Sequence, residues 1–451
     1  MKKMYKLNQT LKMLFMVVFV GCIGTASAQL SGSYTVDNGN ATGGTNFNSF
    51  LDFRNAIVTN GVNGPVTVTF VTDQTETSQI SFSAITGASS TNTITIDGAN
   101  KFLAYGVADA VVLMNGADYF TFKNLTVRNT SSSIYVQGFR FTNNADYNTV
   151  TKCTIEFSAL SSGSTGGGAY VSFAATATAL TSSSSTTNGS YNTISANLMR
   201  TTSSNSPGPT FGIVYTGNNS SYPNTAQNNT FTTNTIQNFY YQGIYMYYSN
   251  GCQVLSNDIS RANSSSANCA STIYGIVSFY SYGTSRATLL DNNNLHDWPY
   301  SGATPGGSNN YAYAFQLYYN YGLNNTTNRF SVSNNSIKNI SAYYSIYLGY
   351  SQSNTYWDLK GNISDNNDVS VGNSSCYQYG WTSYSSLAYH YDNNTIKNSD
   401  GGYYWYGIYN YNPQNSSGIT TSIDNNIIEN NKNAGYLFYG IECMYVYNSS
   451  S

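Results

Sequence analysis

One short motif recurs along this chain and restricts its possible folds more than any other feature. In each copy an apolar residue is followed three positions later by Asn, and a second apolar residue comes two positions after that Asn. The clearest copies lie at Leu290–Leu295, Val332–Ile337, Tyr391–Ile396 and Ile423–Ile428. Looser copies are Val150/Cys153/Ile155, Ile194/Asn197/Met199, Phe231/Asn234/Ile236, Val254/Asn257/Ile259 and Leu359/Asn362/Ser364. Such repetition predicts one structural unit per copy.

The distance between successive central positions of the motif varies from 23 to 44 residues. A second element follows the motif in nearly every unit, as a short run in which large residues alternate like strand side chains. These runs are Phe211–Tyr215, Gly243–Tyr247, Tyr274–Val277, Tyr313–Leu317, Ser345–Leu348, Tyr406–Tyr409 and Tyr439–Ile441. Connectors rich in Gly, Ser and Asn separate them. The pattern predicts a coil of short strands with loops of unequal length on one side.

Stacking of the units explains the Asn in the motif. One unit cannot bury its apolar residues alone, whereas stacked units give a continuous core. An Asn at the same bend of every turn can hydrogen-bond its copies above and below, because its amide carries both donors and an acceptor. β-Propeller blades need four strands per unit, and a leucine-rich horseshoe needs a Leu frame; the sequence has neither pattern. We therefore predict an all-β fold, a parallel β-helix with an Asn ladder.

Taken together, the motif copies resemble the turns of right-handed parallel β-helix proteins of the pectin-lyase-like class, over roughly residues 110–451. Near the N-terminus, Gly32–Val36, Phe47–Val58, Asn60–Val66 and Ser90–Ile96 resemble the opening of secreted β-helix proteins of Bacteroidetes-type bacteria. Many of those are large, adhesin-like surface proteins, often with a C-terminal sorting domain. The resemblance implies a right-handed coil and an adhesin-like role. No sorting domain or cap is evident at Tyr447–Ser451, so we expect the chain to be truncated from a longer protein.

Residues 1–28 have the features of a secretory signal peptide. Four lysines occur within the first dozen residues, an apolar stretch spans Leu11–Ile23, and Ala26-Ser27-Ala28 supplies small residues for cleavage before Gln29. A rival interpretation is a lipoprotein box that ends at Cys22 and would leave a lipid anchor there. No later apolar segment reaches membrane-spanning length. We expect a secreted or cell-surface protein without an integral membrane segment.

Residues 29–110 are predicted to form an N-terminal cap and the first β-helix strands, and residues 111–451 the β-helix repeats. Apolar residues at helical spacing between Phe47 and Val58 predict a short helix with Asn46 as its N-cap. This helix would cover the open end of the coil, where unpaired strand edges invite aggregation. Strands are predicted at Val66–Val71, Ile94–Asp97, Val111–Met114 and Tyr119–Val127.

Composition excludes several classes of protein. Charged residues make up 8% of the chain, against about 25% in ordinary soluble proteins. Such a low content of Lys, Arg and Glu rules out a helical bundle, and the 43 Tyr and 21 Phe rule out a disordered chain. The net charge is −2, and no basic cluster follows the first dozen residues. Nucleic acid is therefore not an expected partner.

The cysteines do not define a metal site or a disulfide framework. Five follow the signal segment, and they are scattered without CxxC spacing. Cys252 and Cys269 could pair, but buried free thiols are the favoured interpretation. The five residues are Cys153, Cys252, Cys269, Cys376 and Cys443.

Candidate catalytic residues are few. β-Helix enzymes that cleave polysaccharides need carboxylates as acid and base, or a Ca²⁺ cluster with a basic residue. The chain has two histidines, His296 and His390, which lie close in sequence to Asp297 and Asp392. The paired Asp and Gly-His-Gly motifs of pectin-degrading β-helix enzymes do not occur. We therefore predict no catalytic residue from the sequence.

A column of aspartates is the candidate metal site. Asp291, Asp392 and Asp424 each lie two residues before a ladder Asn, and Asp365-Asn-Asn-Asp368 lies nearby in sequence. Carboxylates stacked about 5 Å apart repel each other unless they are solvated or bridged by Ca²⁺. Asp also favours turns through side-chain hydrogen bonds to the backbone. We favour turn chemistry, assign no metal ligand or cofactor, and keep Ca²⁺ as an alternative.

Tyrosine clusters suggest a binding function. Exposed aromatic rows on a flat sheet can stack on sugar rings, although same-face packing of Tyr also stabilises a sheet. We expect at least half of these residues to be structural, and we predict a non-catalytic, adhesin-like protein that binds a polysaccharide or surface glycan. A polysaccharide lyase or glycoside hydrolase, and a purely structural stalk, are the alternatives. The clusters are Tyr240, Tyr241, Tyr245, Tyr247 and Tyr248, and Tyr403, Tyr404, Trp405, Tyr406 and Tyr409.

Overall fold

The computed structural model describes most of the chain downstream of the predicted signal segment. The described residues are 28–158, 160, 166–182, 188–202, 207–217, 227–261, 272–283, 286–298, 311–320, 330–340, 344–349, 356–367, 377–384, 388–399, 404–411, 414–415, 422–432, 437–444 and 447–448. Cys22, Cys269, Cys376, Asp368 and Tyr403 lie outside these residues, as does the predicted signal segment up to Ser27.

Three long parallel sheets account for almost all of the described structure. Sheet A contains Leu30–Val36, Asn46–Phe47, Val62–Phe70, Ile94–Asp97, Phe120–Lys123, Thr149–Thr151, Thr193–Ser195, Thr230–Thr232, Gln253–Leu255, Leu289–Asp291, Phe330–Ser333, Tyr356–Lys360, Ala388–Asp392 and Ser422–Asp424. Sheet B contains Gln74–Thr75, Phe102–Tyr105, Thr126–Asn129, Thr154–Phe157, Leu198–Thr201, Thr235–Gln237, Asp258–Ser260, Asn294–Trp298, Ser336–Ile340, Ile363–Asp365, Thr395–Lys397 and Ile427–Glu429.

Sheet C contains Ile80–Phe82, Ala110–Asn115, Gln137–Thr142, Ala169–Phe173, Phe211–Thr216, Gln242–Tyr247, Thr272–Phe279, Tyr311–Tyr318, Tyr344–Gly349, Tyr377–Tyr384, Tyr404–Tyr411 and Leu437–Met444. A small fourth sheet pairs Gln414–Asn415 with Tyr447–Asn448. Apart from this small sheet, consecutive strands from Ile94 onward belong to sheets A, B and C in turn, so each set of three strands makes one turn of a coil. The predicted right-handed parallel β-helix is confirmed. The sheets continue through residue 110, and the division of the chain there stays a prediction.

The bend between sheets A and B is the same in turn after turn, and it contains the repeated Asn. The residue before the ladder position has a positive φ in every copy, for example 55° at Ser256 and 58° at Asn292. Asn tolerates this left-handed conformation better than most residues, which explains the Asn-Asn pairs of the clearest copies. The following side chain then points into the coil, where Asn257 and Asn293 are 1% exposed.

The predicted Asn ladder is confirmed from Cys153 to Asn426. In a typical rung, the amide nitrogen of Asn257 donates to the Phe231 carbonyl at 2.9 Å and to Asn293 Oδ1 at 3.0 Å. Its own Oδ1 accepts the backbone N–H of Asn234 at 3.0 Å. Asn197, Asn234, Asn293, Asn335, Asn362 and Asn394 repeat this arrangement. Loops elsewhere in each turn absorb the irregular spacing of the motif.

A second, shorter ladder lies at the bend that leads into sheet A, and the sequence did not reveal it. The Asn148 N–H donates to Asn192 Oδ1 at 2.8 Å, and the Asn192 N–H donates to Asn229 Oδ1 at 2.9 Å. In the next turn Cys252 occupies the corresponding register position. Cys252 is a buried free thiol, and burial raises its pKa to about 11.

The N-terminal helix differs in its start from the prediction. It spans Phe50–Asn60, and its N-cap is Ser49, whose side chain accepts the Asp52 N–H. The Glu76 carboxylate accepts the N–H groups of Phe50 and Leu51 at 2.9 and 3.3 Å. Asn46 is instead in a strand, where Thr35 Oγ1 donates to its Oδ1. Within the described residues, no helix is long and apolar enough to cross a membrane.

Among the strands predicted in the first turns, the structure confirms one and divides another. Ile94–Asp97 is a strand with the predicted bounds. Tyr119–Val127 is not one strand, because Asn124 has a φ of 51° and bends the chain from sheet A into sheet B.

Candidate binding face

The outer face of sheet C differs from the rest of the surface because it is aromatic and almost uncharged. The eight sheet C strands from Phe211–Thr216 to Leu437–Met444 contain one charged residue, Glu442. We call the outward-facing residues of these strands the aromatic face. Its first column contains Phe211, Gln242, Tyr274, Tyr313, Tyr406 and Tyr439, which share one position in the strand register.

Aromatic rings in this column stack along the axis of the coil. The ring centroids of Tyr274 and Tyr313 are 4.9 Å apart with 18° between the planes. Those of Tyr406 and Tyr439 are 5.4 Å apart with 12° between the planes. Because successive turns of a β-helix are about 4.8 Å apart, identical side chains at one register position are held at stacking distance.

The Gly that follows this column in most turns explains the repeated Tyr-Gly-Ile run. A Cβ atom on Gly243 would lie 2.6 Å from the Gly275 carbonyl oxygen and 2.9 Å from Ile259 Cγ2. The Cα atom of Gly243 therefore packs in the interior, against sheet B. Ile244 is then fully buried, while Tyr245 reaches the outer face half-buried.

Two further groups of aromatic residues border the first column. Tyr245 packs against Phe279 and Tyr247, with ring centroids 6.2 and 6.1 Å apart. Tyr248, Tyr280 and Tyr319 follow the ends of three successive strands with φ values of 52°, 49° and 51°. The Tyr280 ring stacks on both of the others, at 5.2 and 4.9 Å.

A cavity of about 310 Å³ opens on the aromatic face where a covering segment ends. Residues 174–182 cross the outer face of the earlier sheet C strands. They are held there because Arg140 donates to the Ala175 carbonyl at 3.2 Å and Thr216 Oγ1 donates to the Leu180 carbonyl at 2.7 Å. Thr181 at the end of this segment is part of the wall. The other lining residues are Phe211, Tyr241, Gln242, Tyr245, Tyr274, Phe279 and Gln316.

The polar groups of this cavity stay uncharged over a wide pH range. Burial raises the pKa of Tyr245 and of Tyr241 above the ordinary value of a tyrosine. Both hydroxyls therefore keep their protons beyond neutral pH and remain hydrogen-bond donors as well as acceptors.

Part of this face was predicted from the sequence. Tyr241 and Tyr245 were predicted as binding candidates and line the cavity. Phe211, Phe279 and Gln316 were missed because they belong to other turns, and Gln242, in the same strand as Tyr245, was missed because it is not aromatic. Trp405, a member of the second aromatic cluster, belongs to the structural part of that cluster. It is 1% exposed and stacks on Phe438 at 4.5 Å, since its register position points into the coil.

The histidine candidates lie on other faces. On sheet B, His296 Nδ1 is 2.8 Å from Asp297 Oδ2, and its Nε2 is 3.1 Å from Asp258 Oδ2. Burial lowers the pKa of His296, but the two carboxylates outweigh it and raise the pKa above its usual value. On sheet A, His390 Nδ1 is 3.0 Å from Ser422 Oγ.

Two carboxylates of the Asp column accept hydrogen bonds from the protein. Asp291 Oδ1 accepts the Ser331 hydroxyl and the Ser333 N–H, both at 2.9 Å. Asp392 Oδ1 accepts the Ser422 hydroxyl at 2.7 Å, and Asp424 is exposed in the next turn. Within the described part of the chain, no group of three or more His, Cys, Asp or Glu side chains is placed to hold a metal ion.

No protein-family model and no curated protein matches this chain. Among solved structures, a GH136 lacto-N-biosidase from Eubacterium ramulus matches with a TM-score of 0.48 and 11% identity, over 90% of this chain and 68% of the other. PfbA, a surface adhesin of Streptococcus pneumoniae, matches with a TM-score of 0.41 and 10% identity, over 86% and 91%. The catalytic unit of a GH87 alpha-1,3-glucanase from Streptomyces thermodiastaticus matches with a TM-score of 0.42 and 14% identity, over 95% and 72%. With TM-scores below 0.5, none of these likenesses extends an activity to this chain.

Proposed function

We propose that this chain is a secreted or cell-surface, adhesin-like protein that binds glycans through the aromatic face of sheet C. The observation that carries the proposal is the axial column of tyrosines beside a cavity lined by uncharged polar and aromatic side chains. Aromatic rings present an apolar surface to sugar rings, and phenolic hydroxyls supply hydrogen bonds at the same place.

A purely structural stalk would not need such a face. Buried Tyr residues such as Tyr170 and Tyr215 serve the core, but Tyr274 and Tyr313 are half-buried on the outside. The contrast between inward and outward tyrosines in the same sheet favours a binding role for the outward group.

Retention of polysaccharides with simultaneous assay of released sugar ends tests the proposal. The purified protein is run through gels containing neutral, uronate-containing or sulfated polysaccharides, and the same mixtures are assayed for new reducing or unsaturated ends. We expect retention by at least one polysaccharide and no new ends. Tyr274→Ser is expected to weaken retention about tenfold. Tyr147→Ser is the matched control, because Tyr147 also stacks on a neighbouring Tyr but lies outside sheet C.

A carbohydrate-active enzyme is the second candidate, and the arrangement of His296 favours it. This imidazole lies between the Asp258 and Asp297 carboxylates, and its raised pKa suits a proton donor near neutral pH. New sugar ends that disappear in His296→Asn would replace the adhesin proposal with this one. Absence of both retention and product across the panel would contradict glycan binding altogether.

A further inference from the structure

We infer that the cavity beside Gln242 binds one uncharged hexose unit, with a sugar hydroxyl donating a hydrogen bond to Gln242 Oε1. This inference rests on the proposed function and names the ligand class of the same face.

Gln242 is the residue that points to a ligand. It is 5% exposed and lines the cavity between Phe211 and Tyr274 of the neighbouring turns. Its Oε1 is buried and has no hydrogen-bond partner among the described residues. Buried side-chain oxygens in folded proteins are nearly always paired. A donor supplied from outside the protein would complete this one.

The remaining lining fits a pyranose ring. Tyr241 and Tyr274 meet edge to face, with ring centroids 5.4 Å apart, so the cavity offers both a ring face and a ring edge. Thr181 and Gln316 add polar atoms to the lining. The volume of about 310 Å³ is at the lower end of the range for small-molecule sites, about 300–1,000 Å³. One sugar unit suits this size better than a longer segment does.

The lining also selects against charged sugars. None of the described residues in the lining is Lys, Arg, Asp or Glu. A uronate carboxylate would lose its hydration in the cavity without gaining a cation, which is unfavourable. It also has no proton to donate to Gln242 Oε1, whereas the hydroxymethyl group of a neutral hexose does.

Calorimetry with matched pairs of methyl glycosides tests the inference. The probes are the methyl glycosides of glucose and galactose and those of glucuronic and galacturonic acid, which differ from them by a carboxylate in place of a hydroxymethyl group. We expect at least one neutral glycoside to bind, and its uronate counterpart to bind at least about tenfold more weakly. Gln242→Met removes the acceptor with little change in shape, and should weaken the neutral ligand about tenfold.

Stability separates a lost contact from a damaged fold. Gln242→Met is expected to keep or raise the Tm, because it removes an unpaired buried polar atom. Gln253→Met, on the outer side of sheet A, is the matched control and should change neither binding nor Tm. If Gln242→Met fails to fold, Gln316→Met at the half-buried wall serves instead, with an expected loss of about threefold.

Two results would overturn the inference while leaving the proposed function intact. One is retention on polysaccharides together with unchanged glycoside affinity in the Gln242→Met and Gln316→Met variants. The other is a uronate that binds as tightly as its neutral counterpart. Failure of every polysaccharide and every glycoside to bind would overturn both.

Discussion

At the scale of single residues, two stacked aspartates lower the stability of the folded protein when they are ionised, whereas the uncharged Asn rungs do not. Asp118 Oδ1 accepts the Asp146 N–H, and Asp146 Oδ1 accepts the Ser190 N–H, both at 2.7 Å. The geometry is that of a ladder, but the side chains are carboxyls. Burial, together with the nearby Asp118 charge, raises the pKa of Asp146 to about 6. The hydrogen bond from the Ser190 N–H lowers this pKa, but by less. Burial also raises the pKa of Asp118.

Asp146→Asn is expected to stabilise the protein at neutral pH and not at acidic pH. The folded-state pKa of about 6 lies above the unfolded value of 3.8, so the protonated carboxyl stabilises the fold below about pH 4. This stabilisation disappears as the pH rises through 6. Asn keeps the Oδ1 acceptor for Ser190 and carries no charge. After allowance for partial exposure, we expect a gain of about 1 kcal/mol at pH 7.5 and none at pH 4.

Urea unfolding of both proteins at pH 4 and at pH 7.5 measures this difference. Asp424→Asn, at an exposed carboxylate of sheet A, is the control and should follow the wild-type pH profile. A gain from Asp146→Asn that is equal at both pH values would show that charge is not its cause.

At the scale of the element, the Tyr-Gly-Ile strand depends on Gly for a packing reason. Gly243 has no room for a Cβ atom between the Gly275 carbonyl and Ile259, whereas a Cβ atom on Gly440, at the same motif position, would meet no described residue within 4 Å. Gly440 belongs to the last described strand of sheet C. The two glycines share a local sequence and differ in whether a described turn packs against them.

Gly243→Ala is therefore expected to destabilise the coil, and Gly440→Ala is not. Overpacking of this kind costs about 1–3 kcal/mol, since the strand must move away from sheet B. The free energy of unfolding in urea measures both variants. Equal losses in the two would indicate that backbone flexibility, and not the contact with Ile259, determines the preference for Gly.

The repeat allowed the fold to be predicted because each motif residue has one structural role in every turn. The apolar positions are buried in most turns, the Asn forms the ladder, and the residue before it adopts a positive φ. The second ladder was missed because Asn148, Asn192 and Asn229 form only three rungs. Ser364 takes the place of the second apolar residue in one copy of the motif. The structure explains this polar residue, because its hydroxyl is 2.9 Å from that of Ser345. Side-chain pairs between turns depend on register, which the variable loops conceal.

At the scale of the whole molecule, charge is distributed unequally over the three faces. Sheet B carries an axial series in which Glu156 lies between Arg128 and Arg200, at 2.6 and 3.1 Å. Farther along, Lys397 lies 3.8 Å from Asp365. Sheet A has a similar arrangement, with Lys360 3.3 Å from Asp358 and 3.8 Å from Asp392. Ion pairs thus line sheets A and B. On sheet C the described pair is Arg140 with Asp109, in a turn before the aromatic face, so the aromatic face itself is left for uncharged partners.

This distribution predicts that glycan binding will not respond to salt. Ions screen interactions between exposed charges, with a Debye length that falls from roughly 20 Å at about 20 mM to roughly 4 Å at about 500 mM. Contacts through Tyr rings and amide groups are not screened. Retention on a neutral polysaccharide should therefore change less than about twofold between these concentrations, as measured by affinity electrophoresis. Lys338→Gln, an exposed charge beside His296 on sheet B, should leave retention unchanged. A loss of about tenfold or more at high salt, or in Lys338→Gln, would instead place the binding surface on the charged faces.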